Sequence, residues 1–405
     1  MKEEWKPDAL RETAEEIRSA VMPKSITPEM VGGTLLALTN AVGEVVETLG
    51  EIPREHVKVT VRGYDGEGAV SGAGATVLLD VFHSKGYPVV SLPRQELTAD
   101  ENGVVEFDVP HGYKYAVFSQ IAGLGASFQL VKTAAAEARK INLWNLPIGV
   151  KHLYLSALFS DKTGAYRSVP YTSDTYVSDW DVMNESNAGW DVQDEDEYFD
   201  DYYYYGILVS TAETSFVIAQ NSLSEDRMVW CSNQDYGALI PGIPAINNLD
   251  ENGMYVDDLW ADAQNRARAD MDGNMNTTKI FDYAHNAVAA NFCADYIGYP
   301  DEQRWLPSAG QAYLMWLNRT VINALMTEAN DGGCEFALFP YQNEKGSWVY
   351  PNKLPNGSTR YEYWWTSTIY NEYCSWVVIY DGIIFNYYRF ITNDVRAVSA
   401  FHFEY

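Results

Sequence analysis

Basic residues are few. The 405-residue chain has 28 Lys and Arg against 56 Asp and Glu, a net charge of −28. So acidic a surface repels phosphate backbones and anionic headgroups, so neither nucleic acid nor an anionic membrane is an expected partner. Long apolar runs are missing too. No stretch approaches the ~20 apolar residues of a membrane-spanning helix, and membrane insertion is not expected. The opening residues Met1-Lys2-Glu3-Glu4-Trp5 are charged and lack an apolar signal core, so synthesis in a cytoplasm without a signal peptide is expected. Cysteine is sparse: Cys231, Cys293, Cys334 and Cys374 lie far apart, and no CxxC pair can form a metal knuckle. Spacing places no disulfide, and free thiols are the default in a reducing compartment. The histidines (His56, His83, His111, His152, His285, His402) are scattered without ligand spacing. With neither paired cysteines nor a histidine cluster, no catalytic site is expected.

What is present divides into regions, consistent with two or three domains at this length. In residues 1–52, Thr27-Pro28-Glu29 reads as an N-cap, a proline at the first helical position and an acid in the first turn. Val31, Leu35, Leu38, Val42, Val45 and Leu49 then follow at spacings of four, three, four, three and four, a short heptad seam. Gly32, Gly33 and Gly43 weaken a lone helix there. Self-association would bury the stripe, and packing on the next domain is the alternative.

Residues 53–148 read as strands. Val57, Val59 and Val61 alternate with Lys58, Thr60 and Arg62, and Ala75 to Phe82 is mostly apolar. Asp100-Glu101-Asn102-Gly103 is a turn before Val104–Val109, and Pro110-His111-Gly112 breaks the chain before Tyr115–Phe118. Short strands at regular spacing predict an all-β sandwich. The DENGVVEFDVPHGYKYAV segment resembles prealbumin-like repeats of surface and phage tail proteins, which implies a spacer.

Residues 149–405 are rich in Tyr and Trp. Helical spacing predicts one helix over Phe281–Ile297, with Ala284, Val288, Cys293 and Ile297 on one side. It predicts another from a Ser308 cap to Ala329, with Tyr313, Leu314, Leu317, Val321 and Leu325 at helical spacing. The acidic, tyrosine-rich run Asp194 to Tyr205 reads as a solvated loop, or as one beside a binding face. The expected class is α+β.

The informative stretch is Trp364 to Tyr405. Ser375 to Tyr388 predicts a hairpin whose loop, Tyr380-Asp381-Gly382, puts Gly at the left-handed position. Alternation places Trp376, Val378 and Ile384 on one face and Val377, Ile379, Ile383 and Phe385 on the other. Both faces are apolar, so the second either packs too or is exposed as an interaction patch. Asn386 to Asp394 follows neither strand nor helix period and mixes aromatics with small polar residues, the composition of a paratope. Randomising the adenines of an AAC codon never yields Trp, Lys, Glu, Gln or Met. Between Thr366 and Phe401 there is no Lys, Gln or Met, one Glu (Glu372) and one Trp (Trp376).

In Trp365-Thr366-Ser367-Thr368, Trp376, Gly382 and Val395-Arg396-Ala397-Val398, the chain resembles the variable proteins of diversity-generating retroelements. Asp272–Lys279 and Trp305-Leu306-Pro307-Ser308 resemble that family's lead-ins to two helices. The resemblance implies a C-type-lectin fold of the formylglycine-generating-enzyme type over residues 149–405, with a variable segment at 366–401. It implies ligand-contacting variable positions at Ile369, Tyr370, Asn371, Tyr373, Cys374, Val377, Ile379, Tyr380, Ile383, Phe385, Asn386, Tyr387, Tyr388, Phe390, Ile391, Thr392 and Asn393. Trp365, Trp376, Val378, Gly382, Ile384, Val395, Arg396 and Val398 would be scaffold, with Arg396 paired to a carboxylate.

The resemblance further implies a receptor-binding protein at a phage tail-fibre tip, a trimer that binds a bacterial cell-surface protein or glycan. The alternatives are a bacterial surface adhesin or a structural tail component with a fixed ligand. No cofactor is expected. The Glu-Pro-Asn, Gln-Pro-Asp and Trp-Asn-Asp triplets of calcium-dependent sugar lectins do not occur. Asp270, Asp272, Asn274 and Asn276 alternate like a calcium loop, but Gly273 comes too early and no Glu closes it. Side-chain turns leading into a helix are expected there, with a structural calcium as the alternative.

Overall fold

A computed structural model describes residues 53–66, 69–83, 90–91, 93–131, 138–158, 167–177, 203–232, 237, 239–250, 252–283, 287–295 and 303–401. The seam of residues 1–52, its oligomerisation role and residues 194–202 of the acidic run lie outside these.

The described residues between 54 and 145 form two facing sheets. Arg54–Tyr64 pairs antiparallel with Ala69–Ser71 and Val104–Pro110 and parallel with Arg139–Asn145. In the second sheet, Thr76–His83 pairs with Val90–Ser91, Gln95–Thr98 and Lys114–Gln120, which in turn pairs with Ser127–Val131. The alternation read from sequence sets the inner faces: Val57, Val59 and Val61 meet Val77, Leu79, Val81, Tyr115 and Val117 in one core. Each such buried aliphatic side chain contributes roughly 1.5–3 kcal/mol. The Asp100 turn forms as expected. Its carboxylate accepts the Asn102 and Val104 N–H groups, each at 2.8 Å, and Gly103 has φ +75°.

The remainder is α+β. A six-stranded sheet runs Arg167–Ser173, Gly149–Leu158, Tyr203–Ser210, Ser215–Ile218, Val398–Ser399, Arg304–Trp305. The end of the segment of interest thus returns to pair with an early strand, Val217 opposite Ser399. Tyr204 and Tyr205, read as part of a solvated run, are instead buried in that sheet. The two parts of the chain touch: Leu130 N–H donates to Gln303 Oε1 at 3.0 Å, and Met275 packs with Ala116 and Leu130.

Both helix expectations need correction. The first helical stretch begins earlier, over Gly273–Tyr283, and a separate helix spans Val288–Asp295; residues 284–286 and 297 lie outside the described set. The second is broken at Asn318 (φ −95°, ψ 6°) into Ala309–Leu317 and Arg319–Asp331. The break rotates Leu317 and Val321 outward, so both are exposed rather than core. The predicted Ser308 cap is present as a full capping box with Gln311. One helix, Trp260–Ala269, has no counterpart in the sequence reading.

Candidate ligand-binding face

Tyr363–Ile369, Cys374–Ile379 and Ile384–Tyr388 form an antiparallel sheet. The hairpin loop is the one read from sequence. Gly382 has φ +86°, and its N–H donates to Ile379 O at 2.8 Å. Its missing side chain also lets Trp316 lie against the turn, since a Cβ there would sit 2.2 Å from that ring.

The faces alternate as predicted, and both are covered along the central strand. Trp376, Val378 and Ile384 pack with Trp364, Ala312, Met315 and Phe339. Val377 packs with Trp365, Ile369, Trp230, Ile280 and Cys293. The expectation that Val377 contacts a ligand is therefore corrected: it is fully buried in a second core. Ile369 and Asn393 are buried as well, and none of the three lines the cleft that the rest of the segment forms. Indole N–H groups tie the sheet to residues 228–230 and 246, as buried Trp requires. Trp376 Nε1 donates to Ile246 O, Trp365 Nε1 to Met228 O and Trp230 Nε1 to Thr366 O, each at 2.9 Å.

Buried ions hold the ends of the segment. Asp394 accepts Arg360 Nε at 2.6 Å and the Tyr363 N–H at 3.0 Å, with Arg227 at 3.6 Å. Glu362 faces the scaffold Arg396 at 3.6 Å, the carboxylate partner expected for that arginine, and accepts Trp364 Nε1 at 2.9 Å. Burial pushes the Glu362 carboxyl up, while Arg396 pulls it back. Arg389, absent from both predicted sets, is fully buried within the segment. Its guanidinium lies 4.4 Å over the Trp230 ring and donates to Ser375 Oγ at 3.1 Å and Asn371 O at 2.9 Å. The run Asn386–Asp394 gives no periodic signal because its backbone leaves the hairpin after Tyr388 and then pairs Thr392–Asn393 with Met228–Val229.

Between this frame and the 248–260 stretch opens a cleft of about 680 Å³. Tyr370, Asn371, Tyr373, Cys374, Phe385, Asn386, Tyr387, Tyr388 and Ile391 line it from the segment. Tyr370, Asn371 and Cys374 are largely buried and form its floor. Asn371 Oδ1 accepts the Tyr373 and Cys374 N–H groups at 2.9 and 2.8 Å, which fixes the floor's turn. Burial pushes the Cys374 thiol up to about 11, so it is a poor nucleophile. Tyr373, Phe385, Tyr388 and Phe390 are each 43–51% exposed, and the Tyr388 and Phe390 rings stack at 5.5 Å.

Ile379, Tyr380 and Ile383 lie at the hairpin's far end and outside the cleft. There Tyr380 packs on Trp348 and Tyr350, each at 5.2 Å. Thr392 is exposed on the short strand paired with 228–229.

The opposite wall, Asn248, Tyr255, Asp257 and Trp260, was not anticipated. One signal was available: Asp250-Glu251-Asn252-Gly253 repeats the letters of the 100–103 turn. Asp250 Oδ1 likewise accepts the Asn252 and Met254 N–H groups, each at 2.9 Å, and Gly253 has φ +76°. That turn presents Tyr255, which is 63% exposed. Away from the cleft, the Asp270 carboxylate is committed to protein donors: Asp272 N–H at 3.0 Å, Asn276 Nδ2 at 3.1 Å and Thr368 Oγ1 at 2.6 Å. This is the side-chain turn expected ahead of the helix.

No protein-family model matches the sequence, and no curated protein matches it. Solved structures similar to parts of the chain include a Pseudomonas aeruginosa protein described as carbohydrate-binding, at 18% identity. That match covers 23% of this chain and 89% of the other, with TM-score 0.18. A minor pilin of Streptococcus agalactiae matches at 15% identity over 24% of this chain and 46% of its own, with TM-score 0.19. The Bacillus anthracis TIE protein matches at 16% identity over 29% and 26%, with TM-score 0.17. Likenesses this slight carry no argument about fold or ligand.

Proposed function

We propose that the chain is a recognition protein without catalytic chemistry, and that its C-terminal segment is a diversified ligand-binding face on a C-type-lectin-like domain. The reading extends to a phage tail-fibre tip that binds a bacterial cell-surface protein or glycan, with the 1–52 seam joining copies into a trimer. Several weak sites on one particle would gain avidity without new contacts. One observation carries the reading. Nine of the positions expected to vary converge on a single open cleft, while Trp365, Trp376, Gly382 and Arg396 lie in the frame that holds it. Tyr370 and Cys374 also belong to the buried core, so such a frame tolerates change at the exposed Tyr373, Phe385 and Tyr388, on which the cores and ion pairs do not depend.

Deep sequencing of the gene's 3′ end in a natural population tests this. Variation should concentrate at codons 373, 385–388 and 390–392, sparing 376, 382 and 389. A segment as uniform as the rest of the gene would sink the diversification reading.

A further inference from the structure

The polar groups of the cleft narrow its ligand. Two of its three amides, Asn248 and Asn371, are committed to the protein, and the third, Asn386, lines the cleft beside the tyrosine hydroxyls. Asn248 donates to Val256 O at 2.9 Å and accepts the Tyr370 hydroxyl. Asn371 donates to the Tyr255 hydroxyl at 2.9 Å and accepts two backbone N–H groups. A sugar needs convergent donors and acceptors for its hydroxyls, and leaving them unpaired costs affinity. Most of what the cleft offers is ring surface: seven of its thirteen lining residues are aromatic. Trp260 meets Phe385 at 5.6 Å and Tyr370 at 6.0 Å, and Phe385 meets Tyr387 at 6.2 Å.

Charge points the same way. Asp257 lines the cleft, and no Lys or Arg is among its lining residues. Arg389 lies beneath the floor with its guanidinium on Trp230, and Arg266 is paired with Asp262 at 2.8 Å. The chain's net charge of −28 adds a field that draws cations in. A primary ammonium carries three donors that must be satisfied, whereas a quaternary one needs none and is attracted by ring faces.

We infer that the cleft binds a quaternary ammonium group, held against the Trp260, Phe385 and Tyr387 rings with Asp257 as counter-ion. The remaining volume takes the molecule that carries the group. The inference rests on the cleft being the recognition site.

Calorimetric titration of the full chain tests it, with choline, its neutral isostere 3,3-dimethylbutan-1-ol, lysine amide and methyl glucoside as probes. Choline should bind about ten-fold tighter than the isostere, the scale of a desolvated cation–π contact. Asp257→Asn and Phe385→Ala should each weaken choline several-fold; both side chains are exposed, so the fold should survive. Equal affinity for choline and the isostere, preference for lysine amide or glucoside, or choline binding unmoved by both substitutions would overturn the inference. The population sequencing separates the two ideas. Variable codons with no choline binding would sink the ammonium ligand and leave the recognition face. Uniform codons with choline binding would leave a fixed ammonium site and remove the diversification.

Discussion

Tyr388 and Arg389 are neighbours in sequence and opposites in the fold, and their alanine variants should differ sharply. Tyr388 is 51% exposed on the cleft rim, whereas Arg389 is fully buried. Arg389→Ala removes the contact over Trp230 at 4.4 Å and the donations to Ser375 and Asn371. Truncating a large buried side chain costs ~2–5 kcal/mol, and an acceptor left unpaired adds ~1–3. Desolvation of the buried charge offsets part of this, so the net loss should be about 3–4 kcal/mol. Burial pushes the Arg389 guanidinium down to about 10, so it remains charged at neutral pH and the loss should persist there. Arg389→Lys keeps the charge but loses the planar fork, and should cost about 1–2 kcal/mol. Tyr388→Ala should stay within about 0.5 kcal/mol, as surface changes do. Urea unfolding followed by tryptophan fluorescence, fitted by separate transitions for the two parts of the chain, reads all three. A loss below about 1 kcal/mol for Arg389→Ala, or an equal loss for Tyr388→Ala, would refute the view that Arg389 anchors the face from below.

Gly382→Ala should destabilise by about 2–4 kcal/mol, because it adds left-handed strain to a clash with Trp316; an unchanged unfolding midpoint would rule out that packing. His152 is buried with Nδ1 2.7 Å from the Tyr204 hydroxyl, and burial lowers its pKa while Glu328 opposes the shift. The unfolded chain therefore takes up this proton first, so stability should fall as pH drops below about 6.5, and His152→Gln should flatten that slope. An unchanged slope in the variant would assign the acid sensitivity elsewhere.

Local physics made much of the frame legible. Period-two alternation in Val57–Val61 placed the sandwich core, the glycine in Asp-Glu-Asn-Gly placed a turn, and Tyr380-Asp381-Gly382 placed the hairpin loop. Each is decided by a few adjacent residues, through side-chain direction or a left-handed backbone that only glycine adopts cheaply. The same local rules failed at Asn318. Helical spacing there continues unbroken while the backbone does not, so Leu317 and Val321 turned outward.

The cleft depended on long-range contacts. Alternation separated the faces of the 374–379 strand correctly but could not say whether the second face met water or another core. That was decided by Trp230, Ile280 and Cys293, which arrive from distant parts of the chain and bury Val377. Arg389 carries no signal of burial in its own neighbourhood, because its partners Trp230, Asn371 and Ser375 come together only in the folded state. The sequence by itself determined several strands of the sandwich, the C-terminal hairpin, their turns and a segment rich in aromatic and small polar residues. Which of those residues form a floor, a rim or a core was decided by tertiary structure, because burial belongs to whatever packs against a side chain and not to the side chain alone.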